Sequence, residues 1–304
     1  ATLDFYARNS YDLIDLVATS GVGGQYYKYA NFGDMRTQGV ELGLHTVNVK
    51  TSDFKWSTSL TFSAMHQEVT RLLNAPTAFD MVAGRGRGNI VGFPRGSLFS
   101  FNYDGLDING LPTFHFGRYP TNSGEYSHIA GADFSDTQYN KTYLRYHGPI
   151  EPQITGGLSN TLSWKQWELS VFFTMQADNK IRLNPTFDPS FADLNVFSTR
   201  YRDRWLNPGD ELRTDVPVLP SQALIEQVGR ENIERAYNTY NYSQEMVADG
   251  SFVRLKNVAL AYRLSESVAK KLSFSSATVR LNVTNPLLIY ADPRLHGQDP
   301  EYYR

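Results

Sequence analysis

The residues from Pro152 to Ala177, PQITGGLSNTLSWKQWELSVFFTMQA, alternate with period two on both sides of a tight turn at Lys165-Gln166. Ile154, Leu158, Leu162 and Trp164 share one face of the first strand, and Thr155, Gly157, Ser159, Thr161 and Ser163 share the other. On the second strand Trp167, Leu169, Val171, Phe173 and Met175 alternate with Glu168, Ser170, Phe172, Thr174 and Gln176. Side chains of a β-strand point alternately to opposite faces, so each strand is apolar on one side and polar on the other. Strands of soluble sandwiches usually run about 5–6 residues. This pattern runs about twice as far, the length at which a tilted strand crosses a bilayer, roughly 9–11 residues. Trp164 and Trp167 flank the turn, where a membrane interface places aromatics. Asn160 breaks the apolar face, and is expected either at a local strand twist or paired with a neighbouring strand.

The same alternation recurs along the chain. Strands are expected over 1–16, over 35–49 (Val40, Leu42 and Leu44 against Glu41, Gly43 and His45), and over 54–73. In 54–73, Trp56, Thr58, Leu60, Phe62 and Ala64 oppose Ser57, Ser59, Thr61 and Ser63. Phe252 to Leu264 is a further strand whose phase slips near Leu255, which predicts a bulge. Thr278 to Leu287 is the last. Short connections at 50–53, 165–166 and 265–274 alternate with long ones at 17–34, 74–151 and 179–250. Transmembrane barrels have this asymmetry, with short periplasmic turns and long extracellular loops. The reading is all-β: a transmembrane antiparallel β-barrel with long extracellular loops, of which seven strands lie in residues 1–304. Seven strands do not make the even number of a bacterial single-chain barrel. The chain also enters a strand directly at Ala1 and stops in loop-like text at Arg304, so a portion of a longer chain is expected.

Within the long loops, Asn109-Gly110 predicts a hairpin, and Ser221 to Ala236 predicts one amphipathic helix capped by Ser221. The repeat GRGRG at 84–88 precedes no helix and reads as a flexible loop.

Composition excludes several functions. The net charge of −2 offers no electrostatic footprint for nucleic acid. There is no cysteine, hence no disulfide framework and no thiolate metal site. The six histidines, at 45, 66, 115, 128, 147 and 296, show no metal-ligand spacing. Gly105-x-Asp107-x-Asn109-Gly110 lacks the terminal glutamate of a calcium loop. No Gly-x-Ser-x-Gly elbow and no defensible acid pair is present, so no catalytic site, metal or cofactor is expected.

The chain holds 19 Tyr and 18 Phe. Rings concentrate in the long loops: Tyr119, Tyr126, Tyr139, Tyr143 and Tyr146 in the first, Tyr201, Trp205, Tyr237, Tyr240 and Tyr242 in the second. Such rings stack on sugars or peptide side chains. They also pack loops into a rigid cap, and both readings stand on sequence alone. Glu41, Glu168 and Arg280 lie on the polar strand faces, where they would line a lumen.

Several segments, in order, resemble SusC/RagA-like TonB-dependent outer-membrane transporters of Bacteroidetes. They are LDFYARNSYDLI near the start, NFGDMRTQGVELGL from Asn31, GFPRGSLFSFNYDGLDINGLPTFH from Gly92 to His115, and RDRWLNPGDE from Arg202 to Glu211. VADGSFVRLKNVALAYRL from Val247 to Leu264 and NVTNPLLIYADPRLHGQDPE from Asn282 to Glu301 complete the set. The resemblance implies the C-terminal barrel portion of a roughly 22-stranded plugged barrel, with the plug domain and the closing strand outside this chain. It implies a non-enzymatic nutrient-uptake protein in the outer membrane of a Gram-negative bacterium, surrounded by outer-membrane lipid. A SusD-like lipoprotein would cover the mouth, the TonB complex would act through the absent N-terminal part, and glycans or oligopeptides would be the cargo. A dimer of transporter–lipoprotein pairs is the implied assembly. The aromatic loop residues named above become candidates for substrate or lid contact. The alternatives are a siderophore- or vitamin-type receptor without a SusD-like lid, and a secreted β-rich adhesin.

Overall fold

The structure, a computed structural model, describes residues 1–18, 27–73, 76–83, 89–115, 144–187 and 199–301. Its frame is one seven-stranded antiparallel sheet, the wall. In chain order the wall strands are β1 (Thr2–Ala18), β2 (Tyr27–Lys50) and β3 (Phe54–Leu72), then β7 (Ile154–Trp164) and β8 (Trp167–Ala177), then β11 (Phe252–Arg263) and β12 (Thr278–Ala291). Each pairs with the next of these seven, so the sheet is a meander interrupted by two insertions.

The seven expected strands are all present. Lys165 takes positive φ, 53°, in the turn that joins β7 to β8. β11 carries the anticipated irregularity: both of its ladders shift register between Leu255 and Asn257. The shift keeps Val253 and Leu255 on the same face as Val258, Leu260 and Tyr262, which an unbroken strand would not do. β2 begins earlier than the alternation implied, at Tyr27 rather than 35, and so shortens the expected loop at 17–34. Its extension is held by pairing to β1, Ala18 to Tyr27 and Leu16 to Tyr29, which a local pattern does not reveal. β12 runs on to Ala291 for the same reason, through Phe252 of β11.

Registered rungs join the apolar faces into one surface. Leu44, Leu60, Leu158, Phe173, Leu255 and Leu287 are successive partners across six strands. Nearer the short turns, Phe54, Trp164, Trp167, Tyr262 and Val279 form another row. No described residue covers this surface: Leu281 is 65% exposed, and the side chains along β12 are exposed almost throughout.

The insertions build the second region, the cap. The first contains α1 (Ala78–Ala83) and a three-stranded sheet in which β4 (Ser97–Leu106) lies between β5 (Pro112–His115) and β6 (Leu144–Pro149). The Asn109-Gly110 hairpin joins β4 to β5 as expected. The second contains β9 (Lys180–Arg182), α2 (Gln222–Val228), α3 (Arg230–Asn241) and β10 (Val247–Asp249), with β10 paired to β9. The single helix expected over 221–236 is therefore two. Ser221 does cap the first, accepting the Leu224 N–H at 3.2 Å, but Gly229 breaks the run with φ 91° and ψ 131°. α4 (Glu266–Lys271) sits in the β11–β12 connection. The hydrophobic core lies in the cap, around Phe101, Phe114, Tyr240, Met81 and Met246. Among the described residues no helix is long and apolar enough to cross a membrane.

Candidate functional site

The opposite face of the wall is polar. Asp4, Glu41, Ser63, Thr155, Gly157 and Phe172 line a hollow of about 520 Å3 on it. Gly157 makes that floor: a Cβ there would lie 2.9 Å from the Thr61 hydroxyl and 3.2 Å from the Phe172 ring. Glu41, Glu168 and Arg280 all occur on this face. Asp4 and Glu41 are direct cross-strand partners. Glu168 and Arg280 both flank Ala261, with guanidinium and carboxylate 3.8 Å apart.

Of the aromatic candidates, Tyr119, Tyr126, Tyr139 and Tyr143 lie outside the described residues, as does GRGRG. The other six divide. Tyr201, Tyr237 and Tyr240 are brought together in the cap core. Phe187 bridges Tyr201 at 5.8 Å and Tyr237 at 3.7 Å, and Tyr240 stacks edge-on to Tyr103 at 5.5 Å. Burial pushes the Tyr240 phenol up to about 12 and raises Tyr103 and Tyr237 as well, as expected of dry rings. Trp205 is buried elsewhere. Its ring covers Gly110, where φ is 76° and a Cβ would sit 2.5 Å from the indole. Its Nε1–H donates to Glu211 at 3.0 Å, and this bond, with the backbone N–H groups of Glu211 and Gly209, holds the Glu211 carboxyl below its usual range. Tyr242 is half-buried against Phe79, with the Arg182 guanidinium 5.2 Å from its ring centre. Tyr146 keeps 39% of its surface exposed while packing on Phe93 at 4.8 Å.

Asp107, in the calcium-like stretch, accepts the backbone N–H groups of Asn109 and Leu111 at 2.9 and 2.8 Å. Its carboxylate thus shapes the turn. Ser100 and His147 form a hydrogen-bonded pair at 2.6 Å, but Ser100 has no exposed surface for a substrate to reach. Burial, then the nearby Arg145, Arg182, Lys180 and Arg294, pushes His147 down to about 4.

A charged clasp escaped the sequence reading. Arg254 of β11 is 5% exposed and ion-pairs with Asp299 and with Glu301, the latter at 3.2 Å, and Lys256 also pairs with Glu301. The segment after β12 therefore folds back along β11. Its other end is tied to the cap: Asp292 accepts the Asp249 N–H at 2.8 Å, and Leu295 is buried in the cap core. Alternating basic residues at 254 and 256, facing acidic ones spaced likewise at 299 and 301, were the available signal.

The segments that carried the resemblance thus meet in pairs. The Asp107–Gly110 turn meets RDRWLNPGDE at Trp205, and FVRLKN meets GQDPE at Arg254. A seven-stranded antiparallel wall with an apolar face that no described residue covers, a polar opposite face and a packed cap is the architecture of a transmembrane β-barrel wall.

Comparison with known proteins agrees. The chain is similar over nearly its whole length to SusC/RagA-like TonB-dependent receptors. It is 27% identical over 321 residues to TonB-dependent receptor P3 of Formosa agariphila, covering 99% of this chain and 28% of that protein. TonB-dependent receptor P26 of the same organism is 27% identical over 320 residues, covering 99% and 29%. Among solved structures, the RagAB peptide transporter superposes with a TM-score of 0.69 at 24% identity, over 98% of this chain and 30% of that one. The RagAB peptide importer in its 'closed-closed' state gives 0.64 at 23%, over 96% and 30%. No protein-family model matches the chain. The chain spans less than a third of the length of each of these relatives.

Proposed function

We propose that this chain is the C-terminal barrel portion of a TonB-dependent outer-membrane importer of glycans or oligopeptides, working with a SusD-like surface lipoprotein. The observation that carries the reading is the wall. Its apolar residues form one registered surface that no described residue covers, while its opposite face is polar and carries a hollow. Water does not tolerate such a surface, and a bilayer does.

Among the described residues both edge strands, β1 and β12, leave one side of their ladders open. In a membrane an open edge strands backbone groups without partners. Further strands of a longer chain would complete the barrel, a plug would fill the polar hollow, and the TonB complex would act on that plug. Import then leaves the cargo chemically unchanged. The cap would stand at the outer mouth and meet both cargo and lipoprotein, in a dimer of such pairs. Contact with cargo or lid falls first to Tyr146 and Tyr242, which keep exposed ring surface, and to Tyr119, Tyr126, Tyr139 and Tyr143. Tyr201, Trp205, Tyr237 and Tyr240 would hold those rings in place.

The test is to purify the intact protein from the outer membrane and identify by mass spectrometry what accompanies it. A lipid-anchored partner together with short peptides or oligosaccharides is the expected result. A protein that purifies without detergent, or that carries only an iron chelate or a vitamin, sinks the proposal.

A further inference from the structure

The apolar face of the wall carries one polar chain. Trp56 Nε1–H and Thr58 Oγ1–H both donate to Asn160 Oδ1, at 3.0 and 2.7 Å. Asn48 Nδ2 donates to Thr58 Oγ1 at 2.6 Å, and Thr46 Oγ1 donates to Asn48 Oδ1 at 2.7 Å. The orientation of the Asn160 amide follows from chemistry, because an indole N–H is only a donor and the atom it meets must be the oxygen. Both donors approach from β3, on one side of Asn160. On the other side its cross-strand partner is Val171, which offers no side-chain acceptor. The Nδ2 group of Asn160 has no acceptor among the described residues, and the backbone carbonyls beside it are committed to the sheet ladders. Asn160 is half-buried, and its Nδ2 is not one of the fully buried polar atoms, so this donor keeps accessible surface.

In hydrocarbon an unmet N–H group costs several kcal/mol. Asn160 lies four residues from Trp164, in the aromatic row beside the short turns. At about 3.3 Å per residue and a tilt of about 45°, that is roughly 9 Å toward the bilayer centre. If the aromatic row lies among the headgroups, the amide lies just beneath the ester layer of the same leaflet.

We propose that the Asn160 amide is a lipid-binding site that donates to the ester carbonyl of a phospholipid on the short-turn side of the membrane. Trp56 and Thr58 aim the amide by occupying its oxygen, and Val171, Leu158 and Leu162 offer the acyl chains an apolar bed. The site is independent of the cargo and of the lipoprotein.

The test uses the intact protein in nanodiscs of diester phosphatidylethanolamine and of its diether analogue, which lacks the carbonyls. Lipid retained after detergent dilution is counted by native mass spectrometry. The natural protein should retain the diester lipid about threefold to tenfold better than the diether lipid, the worth of one hydrogen bond. Asn160→Val, which extends the apolar face and matches Val171, should erase that preference. Asn48→Val should leave the preference in place, because it leaves both donors to Asn160 untouched. Equal retention of the two lipids by the natural protein overturns the proposal, and so does an undiminished preference in Asn160→Val. A dimer that Asn160→Val dissolves equally in both lipids also overturns it, by giving the amide to a second copy of the chain.

Discussion

Leu281 in the wall is 65% exposed and Tyr240 in the cap is 0% exposed, although both belong to elements with a well-marked apolar face. The cap closes on itself. Two insertions that lie far apart in sequence meet so that Phe101, Phe114, Phe187, Tyr237, Tyr240 and Met246 share one core. The wall does not close on itself, because its apolar face needs a solvent that is itself apolar. One chain thus contains a region organised as a water-soluble core and a region organised for lipid. Gaps behave differently in the two. A side chain removed from the cap leaves a cavity, whereas one removed from the lipid face leaves a space that acyl chains fill.

That contrast is open to experiment. The largest effect is expected for Tyr240→Ala. Truncating a large buried aromatic side chain removes about 3–5 kcal/mol, so hydrogen exchange should accelerate through α3 and β4. Exchange in β7 and β8 should stay unchanged, and if those strands lose protection too, wall and cap are one cooperative unit. Next is Leu158→Arg, a charge near the middle of the lipid face. It should cost about 2–4 kcal/mol in a folding titration into lipid vesicles, while Ser159→Arg, one residue along on the polar face, should cost far less. Equal losses would dissolve the assignment of faces. Arg254→Met tests the joint between the regions. Stripping one partner from this partly buried ion pair should cost about 2 kcal/mol, read as faster exchange over 294–301 with β11 still protected. A further effect is one of pH. His147 is held neutral in the folded cap, with its pKa depressed from 6.5 to about 4. An unfolded cap takes up that proton at higher pH than a folded one, so cap stability should be full above 6.5 and fall as pH drops from 6.5 toward 4. His147→Gln should flatten that slope, and an unchanged slope would assign the acid response to other groups.

The wall was legible in the amino-acid order almost strand by strand, because a strand with one face in lipid and one in water writes period two into its own residues. Even the β11 bulge showed, as a slip in that period. Less legible were the strand ends. The outer part of β2, from Tyr27 to Asp34, has no apolar alternation and is a strand because β1 pairs with it. The helix at 221–236 was visible as a pattern, but Gly229 at φ 91° splits it, and a tolerated helical glycine looks the same in sequence as one that ends the helix.

The candidate site was legible only as an inventory. Counting rings in the two loops could not separate Tyr240, enclosed at the centre of a core, from Tyr146, open at its edge. That separation depends on which insertion packs against which, a matter of contacts across more than a hundred residues. Sequence alone determined the wall, its two faces and the likeness to SusC/RagA-like receptors, because each follows from local periodicity or short motifs. Tertiary structure decided which loop aromatics are packed and which are presented. It also brought Arg254 and Lys256 to Asp299 and Glu301, and gave Asn160 two donors for its oxygen and none of its neighbours' acceptors for its nitrogen. Each of these is a meeting of distant residues, and no local pattern records it.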